Sequence, residues 1–249
     1  MELQGTVAIV TGCTGGLGQR IGRAFALAGA QVAGIYQKSQ AQAEALAAEW
    51  SALGPRCVAL RADVTLPAEI RGMVERVLAE FGRIDILVNN AAYNQWVPFK
   101  DLDSLTLEVW QTILQANATS PFLCVKAVAP VMQRQKRGRI VNVASIAGLF
   151  PSGSSIAYAV SKAALIHLTC CLAVALGPEI AVNAVAPGLM MGTRMTANLA
   201  PDFVERGVKA SALQKPADCD DVADQIVLFC KSDSTTGQVL VIDSGRVYH

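Results

Sequence analysis

Apolar positions recur along the chain with two spacings that take turns. Residues 6–10, 31–36, 56–60, 84–89, 139–144, 180–185 and 238–242 are short runs rich in Val, Ile and Ala, the pattern of strands covered on both faces. Between them, residues 16–27, 41–53, 67–81, 104–134, 157–176 and 220–230 repeat apolar side chains at helical intervals, as in Leu17, Ile21, Ala24 and Phe25. Gly, Pro, Asp or Asn punctuates each junction. Residues 187–215 follow neither period and are expected to be irregular. Strand and helix in alternation predict right-handed crossovers, hence an α/β fold: a single domain, residues 1–249, built on a doubly wound parallel sheet of about seven strands with helices on both faces. In such a sheet ligands lie at the carboxyl ends of the strands, around the point where strand order reverses.

Composition acts mainly by exclusion. A chain of 249 residues that is 52% hydrophobic fills a large core, which removes disordered and fibrous readings. Twenty-one basic residues balance twenty acidic ones without a block of either sign, so no nucleic-acid partner is expected and a small molecule is. The start, MELQGTVAIV, lacks the basic-then-apolar pattern of a secretory signal. Residues 163–176 carry no formal charge but fall short of the roughly 20 that span a bilayer, so they read as a buried helix and no membrane partner is expected. Seven cysteines without a CxxC pair fit neither a disulfide framework nor a zinc site; free thiols and a cytoplasmic location are expected. His167 and His249 are the only histidines, too far apart for a metal cluster, so no metal is expected and His167 is read as packed on its helix.

Directly after the first strand run stands TGCTGGLG, residues 11–18, with Gly12, Gly16 and Gly18 opening a helix. Glycines there let backbone approach a pyrophosphate, and a helix N-terminus offers unpaired N–H groups. Alone, the loop is also an ordinary strand-to-helix turn. It is followed in order by Asp63-Val64, Asn89-Asn90-Ala91, Asn117, Ser145, Tyr158 with Lys162 as YxxxK, and Pro187-Gly188. This series, running from Thr6 to Gly245, resembles the short-chain dehydrogenase/reductase family, and within it the β-ketoacyl reductases. The resemblance implies a Rossmann-type NAD(P)-binding domain. It places the cofactor against Gly12, Thr14, Gly16, Leu17, Gly18, Tyr36, Lys38, Ser39, Asp63, Val64, Asn90, Ala91, Ala92, Pro187 and Gly188, with Tyr158 and Lys162 also in reach.

Tyr158 and Lys162 are four apart in a predicted helix and so share a face. A phenol is a poor acid or base at neutral pH, and an adjacent ammonium favours its ionised form, bringing it toward working pH. The resemblance gives Ser145 the task of orienting the substrate oxygen and Asn117 that of holding a water that links the lysine to solvent. It implies hydride transfer between nicotinamide and a carbonyl or carbinol carbon, with Tyr158 moving the proton.

An NAD site usually carries an acid at the end of the second strand. Here Tyr36 stands there, followed by Gln37, Lys38 and Ser39, which resembles NADP-using members: NADPH and reduction of a ketone to the alcohol are expected. NAD-linked alcohol, polyol or steroid oxidation is the alternative, and a non-catalytic nucleotide-binding protein a third reading. Met190, Met191 and Met195 suit a substrate lid at 188–215, and Tyr93, Trp96 and Phe150 add aromatic walls, which points to an uncharged, partly apolar carbonyl compound. Ala92 replaces the family's usual glycine, and Thr193 stands one residue later than the family's nicotinamide-contacting threonine, so its cofactor role is open. After Lys162 the helix through Leu176 has no basic residue besides His167, which disfavours an acidic carrier protein, although residues 134–139 are basic. A helix this apolar around its circumference needs cover beyond its core face, so a homo-oligomer, dimer or tetramer, is expected.

Overall fold

Strands covered on both faces need apolar residues at every position, and β1 (Val7–Thr11) and β4 (Ile86–Asn89) are buried throughout. The computed structural model describes residues 1–197 and 199–248; Asn198 and His249 lie outside the described residues. The other strands are β2 (Gln31–Tyr36), β3 (Cys57–Arg61), β5 (Gly138–Val143), β6 (Ile180–Pro187) and β7 (Val239–Ile242). The helices are α1 (Gly16–Leu27), α2 (Gln40–Ser51), α3 (Pro67–Phe81), α4 (Leu107–Leu114), α5 (Ser120–Arg134), α6 (Ile156–Leu176), α7 (Pro201–Lys209) and α8 (Cys219–Lys231). All strand pairs are parallel, in the order β3-β2-β1-β4-β5-β6-β7. The order reverses between β1 and β4, which opens a crevice at their carboxyl ends.

The two-residue period of β1 sorts its side chains into two cores. Ala8 and Val10 join Ile21, Phe25, Trp50 and Ile226 under α1, α2 and α8. Val7 and Ile9 join Ile70, Met73, Val128 and Leu172 under α3, α5 and α6. In the first core the indole of Trp50 fills a slot made by two glycines: a Cβ on Gly22 would lie 2.4 Å from the ring, and one on Gly34 3.0 Å.

Three elements differ from the sequence reading. The long helical region is α4 and α5 joined by a π-helical turn, Gln115–Thr119. The stretch expected to be irregular contains α7, which starts on Pro201, has Asp202 in its first turn and Arg206 and Lys209 in its last, and buries no residue fully. Helix α6 has 21 residues and a mean hydropathy of 1.9, long and apolar enough on those grounds to cross a membrane. Its sheet-facing side nevertheless buries Lys162, Leu165, Thr169 and Leu172, as a core helix does. His167 is exposed rather than packed, on the same outer face as Val160, Cys171 and Val174. All seven cysteines are free.

Trp50 Nε1 is buried without a hydrogen-bond partner. Trp50→Ala, which empties the slot between Gly22 and Gly34, should destabilise the protein by about 3–5 kcal/mol in urea unfolding. Trp50→Phe, which removes the orphan N–H and keeps much of the ring volume, should cost at least about 1 kcal/mol less.

Candidate active site

The crevice between β1 and β4 is held by one hydroxyl. Thr11 Oγ1 donates to Val88 O at 3.2 Å and accepts from the N–H groups of Asn90 at 2.9 Å and Ala91 at 3.0 Å. The Asn90 amide returns the contact, donating to the carbonyls of Thr11 and Gly12 at 2.9 and 3.1 Å. So tied, the loop turns at Gly12, whose φ of +65° favours glycine, and passes so close to α1 that a Cβ on Gly18 would lie 2.2 Å from the Gly12 carbonyl oxygen. No side chain caps α1 and its first turn carries no acid. Its free N–H groups and partial positive charge therefore face the crevice, an arrangement that fits a dinucleotide pyrophosphate. Leu17 turns its side chain into the core, leaving only its backbone for a ligand. The Thr14 carbonyl is occupied by Gln19 and Gln42 amides at 3.1 and 3.2 Å.

At the end of β2, Tyr36 is buried at 7% exposure, whereas Lys38 is exposed and Ser39 half-buried. The nearby carboxylate is Asp63. One of its oxygens accepts from Thr65 N–H at 2.9 Å and Thr65 O–H at 2.6 Å, the other from the Gln37 amide at 2.6 Å. Burial pushes the Asp63 pKa up, but these hydrogen bonds and the Arg61 charge outweigh it and hold the carboxyl below its usual value. The sequence reading passed over Gln37, since a neutral amide beside a lysine and a serine signals nothing until Asp63 is seen against it. Val64 packs against the α3 side core.

On the other side of the crevice, Ser145 follows β5 and accepts from Ala147 N–H at 3.1 Å. Ser155 caps α6 by accepting from Tyr158 N–H at 3.1 Å, so the tyrosine sits in the first turn of that helix. A buried chain of polar groups clamps the helix to the sheet: Asn89 donates to Asn142 and Asn142 to Thr169, each at 2.9 Å, and Thr169 to Leu165 O at 2.8 Å. Lys162 lies beneath Tyr158, 3% exposed, with Nζ donating to Val143 O at 2.8 Å and standing 5.8 Å from the centre of the phenol ring. Burial lowers its pKa to about 8. Burial also raises the Tyr158 pKa, an effect the Ser145 hydroxyl offsets only in part. Desolvation is thus the larger influence on the phenol, while the Lys162 ammonium directs one of its three N–H donors to the Val143 carbonyl.

Asn117 is in the π-helical turn. Its side chain accepts from Tyr93 N–H at 2.8 Å and donates to Tyr93 O at 2.9 Å and to Ser161 Oγ at 3.0 Å. It therefore joins the loop after β4 to the helix that carries Tyr158. Ser161, next to Lys162, went unread because a serine inside a helix carries no spacing signal. Above Tyr158 comes the segment that follows β6: Met195 Sδ is 3.9 Å from Tyr158 Oη. Gly188 packs on Asp243 at the end of β7, where a Cβ would meet the Asp243 Cβ at 2.7 Å. Despite its offset, Thr193 reaches the glycine loop, its Cα 3.1 Å from the Cβ position of Gly16, beside the Gly192 carbonyl. Ala91 and Ala92 follow β4 beside the loop. A cavity of about 440 Å³ lined by Gly16, Arg20, Met191, Gly192, Lys215 and Cys219 adjoins the same contact, apart from Tyr158.

A family model described as short chain dehydrogenase matches residues 6–203. The chain is 38% identical over 242 residues to a Streptomyces violaceoruber protein named for a ketoacyl reductase role in the granaticin polyketide synthase, covering 96% of this chain and 95% of that one. It is 34% identical over 249 residues to the 3-oxoacyl-[acyl-carrier-protein] reductase of Synechocystis, covering 98% of each. Among solved structures, a short-chain type dehydrogenase/reductase from Mycobacterium marinum superimposes with a TM-score of 0.92 at 33% identity, covering 99% of this chain and 97% of that one. The NADPH-dependent 3-quinuclidinone reductase of Rhodotorula rubra gives 0.91 at 27% identity, covering 98% and 92%.

The buried lysine has a consequence for stability. Its folded pKa of about 8 lies below the 10.5 of a free lysine, so folding disfavours the proton. The cost is full at pH values below the folded pKa, shrinks as pH rises and is gone above the free-lysine value. Measured against Lys162→Met, the cofactor-free protein should gain stability between about pH 7.5 and about pH 9.5 in urea midpoints. Parallel pH dependence in the two proteins would contradict the burial.

Proposed function

The chain belongs to the short-chain dehydrogenase family, and on that premise we propose that it is an NADPH-dependent reductase that converts a ketone into the alcohol, with Tyr158 as the proton donor. Membership makes it an NAD(P)-dependent oxidoreductase. The observation that carries the finer reading is the convergence of Ser145, Tyr158 and a buried Lys162 at the carboxyl edge of the sheet, across the crevice from an uncapped helix N-terminus.

NADPH, when bound, supplies the hydride. The chain's own residues do the rest. The Ser145 hydroxyl donates to the substrate carbonyl oxygen and fixes it beside Tyr158. Tyr158 Oη gives its proton to that oxygen as it becomes an alcohol, and Lys162, whose proton burial has already loosened, resupplies the phenol. Asn117 holds the Tyr93 loop and Ser161 in place around this exchange.

The preference for NADPH is supported by what stands at the end of β2. Tyr36 is buried there, Lys38 is free to meet a 2′-phosphate, and Gln37 and Thr65 occupy the oxygens of Asp63. NAD is the alternative cofactor. The names of the relatives favour a β-ketoacyl group as the ketone. The lid methionines and loop aromatics suit an uncharged, partly apolar body. The outer face of α6, with Val160 and Val174 exposed, fits cover by a second copy, a homodimer or homotetramer. The free thiols fit a cytoplasmic setting.

Tyr158→Phe should lower kcat by about 10²–10⁴-fold and leave NADPH affinity within about threefold, since the phenol acts on the reacting oxygen and not on the phosphates. Retained turnover on a ketone panel would refute the role of the phenol. In the same assay kcat/KM with NADPH should exceed that with NADH by about tenfold or more, and Lys38→Ala should narrow the gap. NADH equal to or better than NADPH would overturn the cofactor preference.

A further inference from the structure

The segment following β4 is pinned at both ends to the surroundings of Tyr158. Tyr93 is bound through its N–H and carbonyl to Asn117, and Asn117 to Ser161. Four residues on, Val97 is 4% exposed and donates its N–H to the carbonyl of Ser154, just before the start of α6, at 2.8 Å. Along this strap the side chains of Tyr93 and Trp96 stand outward, 43% and 53% exposed. Indole surface left in water on a fixed strap costs stability and marks a contact site.

The lid approaches the same place from the other side. Met195 touches the Tyr158 hydroxyl, and eight residues later Phe203 of α7 reaches back to the strap. Its ring meets Trp96 edge to face, with centroids 5.4 Å apart and planes at 87°. Two perpendicular rings, one on the strap and one on the lid, form a corner: the indole offers a face on which a flat ring stacks, and Phe203 closes its edge. An alkyl chain gains area in such a corner but none of the ring geometry. Both rings of the corner are uncharged aromatic faces, and the nearby charges have other settings: Arg194 and Asp202 are exposed, and Arg246 lies over the Phe150 ring at 5.9 Å.

We propose that Trp96 and Phe203 form an aromatic clamp over the entrance to Tyr158, and that the preferred substrate is a ketone borne on a flat, uncharged aromatic body. The proposal rests on the reductase reading and narrows its substrate class. Trp96 and Phe203 act on the body of the substrate and leave the cofactor alone.

The test compares two methyl ketones, 2-acetylnaphthalene and 2-octanone, for equilibrium binding to the purified full-length enzyme saturated with NADP⁺, and for NADPH oxidation. The wild type should bind 2-acetylnaphthalene the more tightly. Trp96→Ala and Phe203→Ala should each weaken that binding about tenfold or more and move 2-octanone by less than about threefold, while Trp96→Phe restores most of the affinity. NADPH affinity should stay at the wild-type value in all three variants, which excludes a folding defect as the cause. Equal losses for the two ketones, or no preference in the wild type, would overturn the clamp. Selective binding of the aryl ketone without oxidation of NADPH would uphold the clamp and refute the reductase reading.

Discussion

A lysine ammonium buried under the tyrosine it serves is the constraint on which the rest of the site depends. Desolvation makes such a charge expensive unless its protons are met, and Lys162 has the Val143 carbonyl for that. The contact holds only while α6 stays seated on β5. The buried Asn89–Asn142–Thr169 chain provides this seating, with both ends of the Asn142 amide and the Thr169 hydroxyl paired inside the fold. The same burial that loosens the lysine proton raises the phenol, since desolvation disfavours the charged form of each. On the proposed reading, Tyr158 becomes a proton donor matched to its task only in the loaded enzyme, where the cofactor replaces water with a fixed charge distribution.

The second half of the site is set by topology. Because β1 and β4 are neighbours with their crossovers on opposite faces, no helix covers the gap at their carboxyl ends, and Thr11 and Asn90 close it with hydrogen bonds. The glycine loop therefore reaches α1 with its backbone stiff and its helix end uncapped. The segment after β6 joins the two halves, since Gly192 and Thr193 rest on Gly16 while Met195, a few residues on, rests on Tyr158. One short segment thus touches both the glycine loop and the tyrosine.

What the chain disclosed before folding was whatever depends on local period and residue type. The bounds of α1, α3 and β2 follow from apolar spacing and agree with the structure residue for residue. Helix α7 escaped notice although Pro201, Asp202, Arg206 and Lys209 are end signals, because a helix that buries nothing fully shows little apolar stripe. The π-helical turn at Gln115–Thr119 has no period of its own and hid inside a longer helical pattern. Asn117 was legible as an out-of-place asparagine, but its partners Tyr93 and Ser161 lie 24 and 44 residues away in sequence. The desolvation around Tyr158 is hidden for a related reason: a four-residue spacing reveals the nearby charge and says nothing of the burial that raises the phenol. Trp96 was read as a wall, and its Phe203 partner, far along the chain, was not.

The most direct measurement is a spectrophotometric titration of the Tyr158 phenol, taken as the difference between the wild type and Tyr158→Phe, without and with saturating NADP⁺. In the free protein the phenol should titrate above its ordinary value of 10.0, as burial dictates. With NADP⁺ bound it should fall below that value, drawn down by the added positive charge and the ammonium one turn away. A phenol that stays above its ordinary value in the loaded enzyme would contradict its tuning toward working pH by the ammonium and the cofactor.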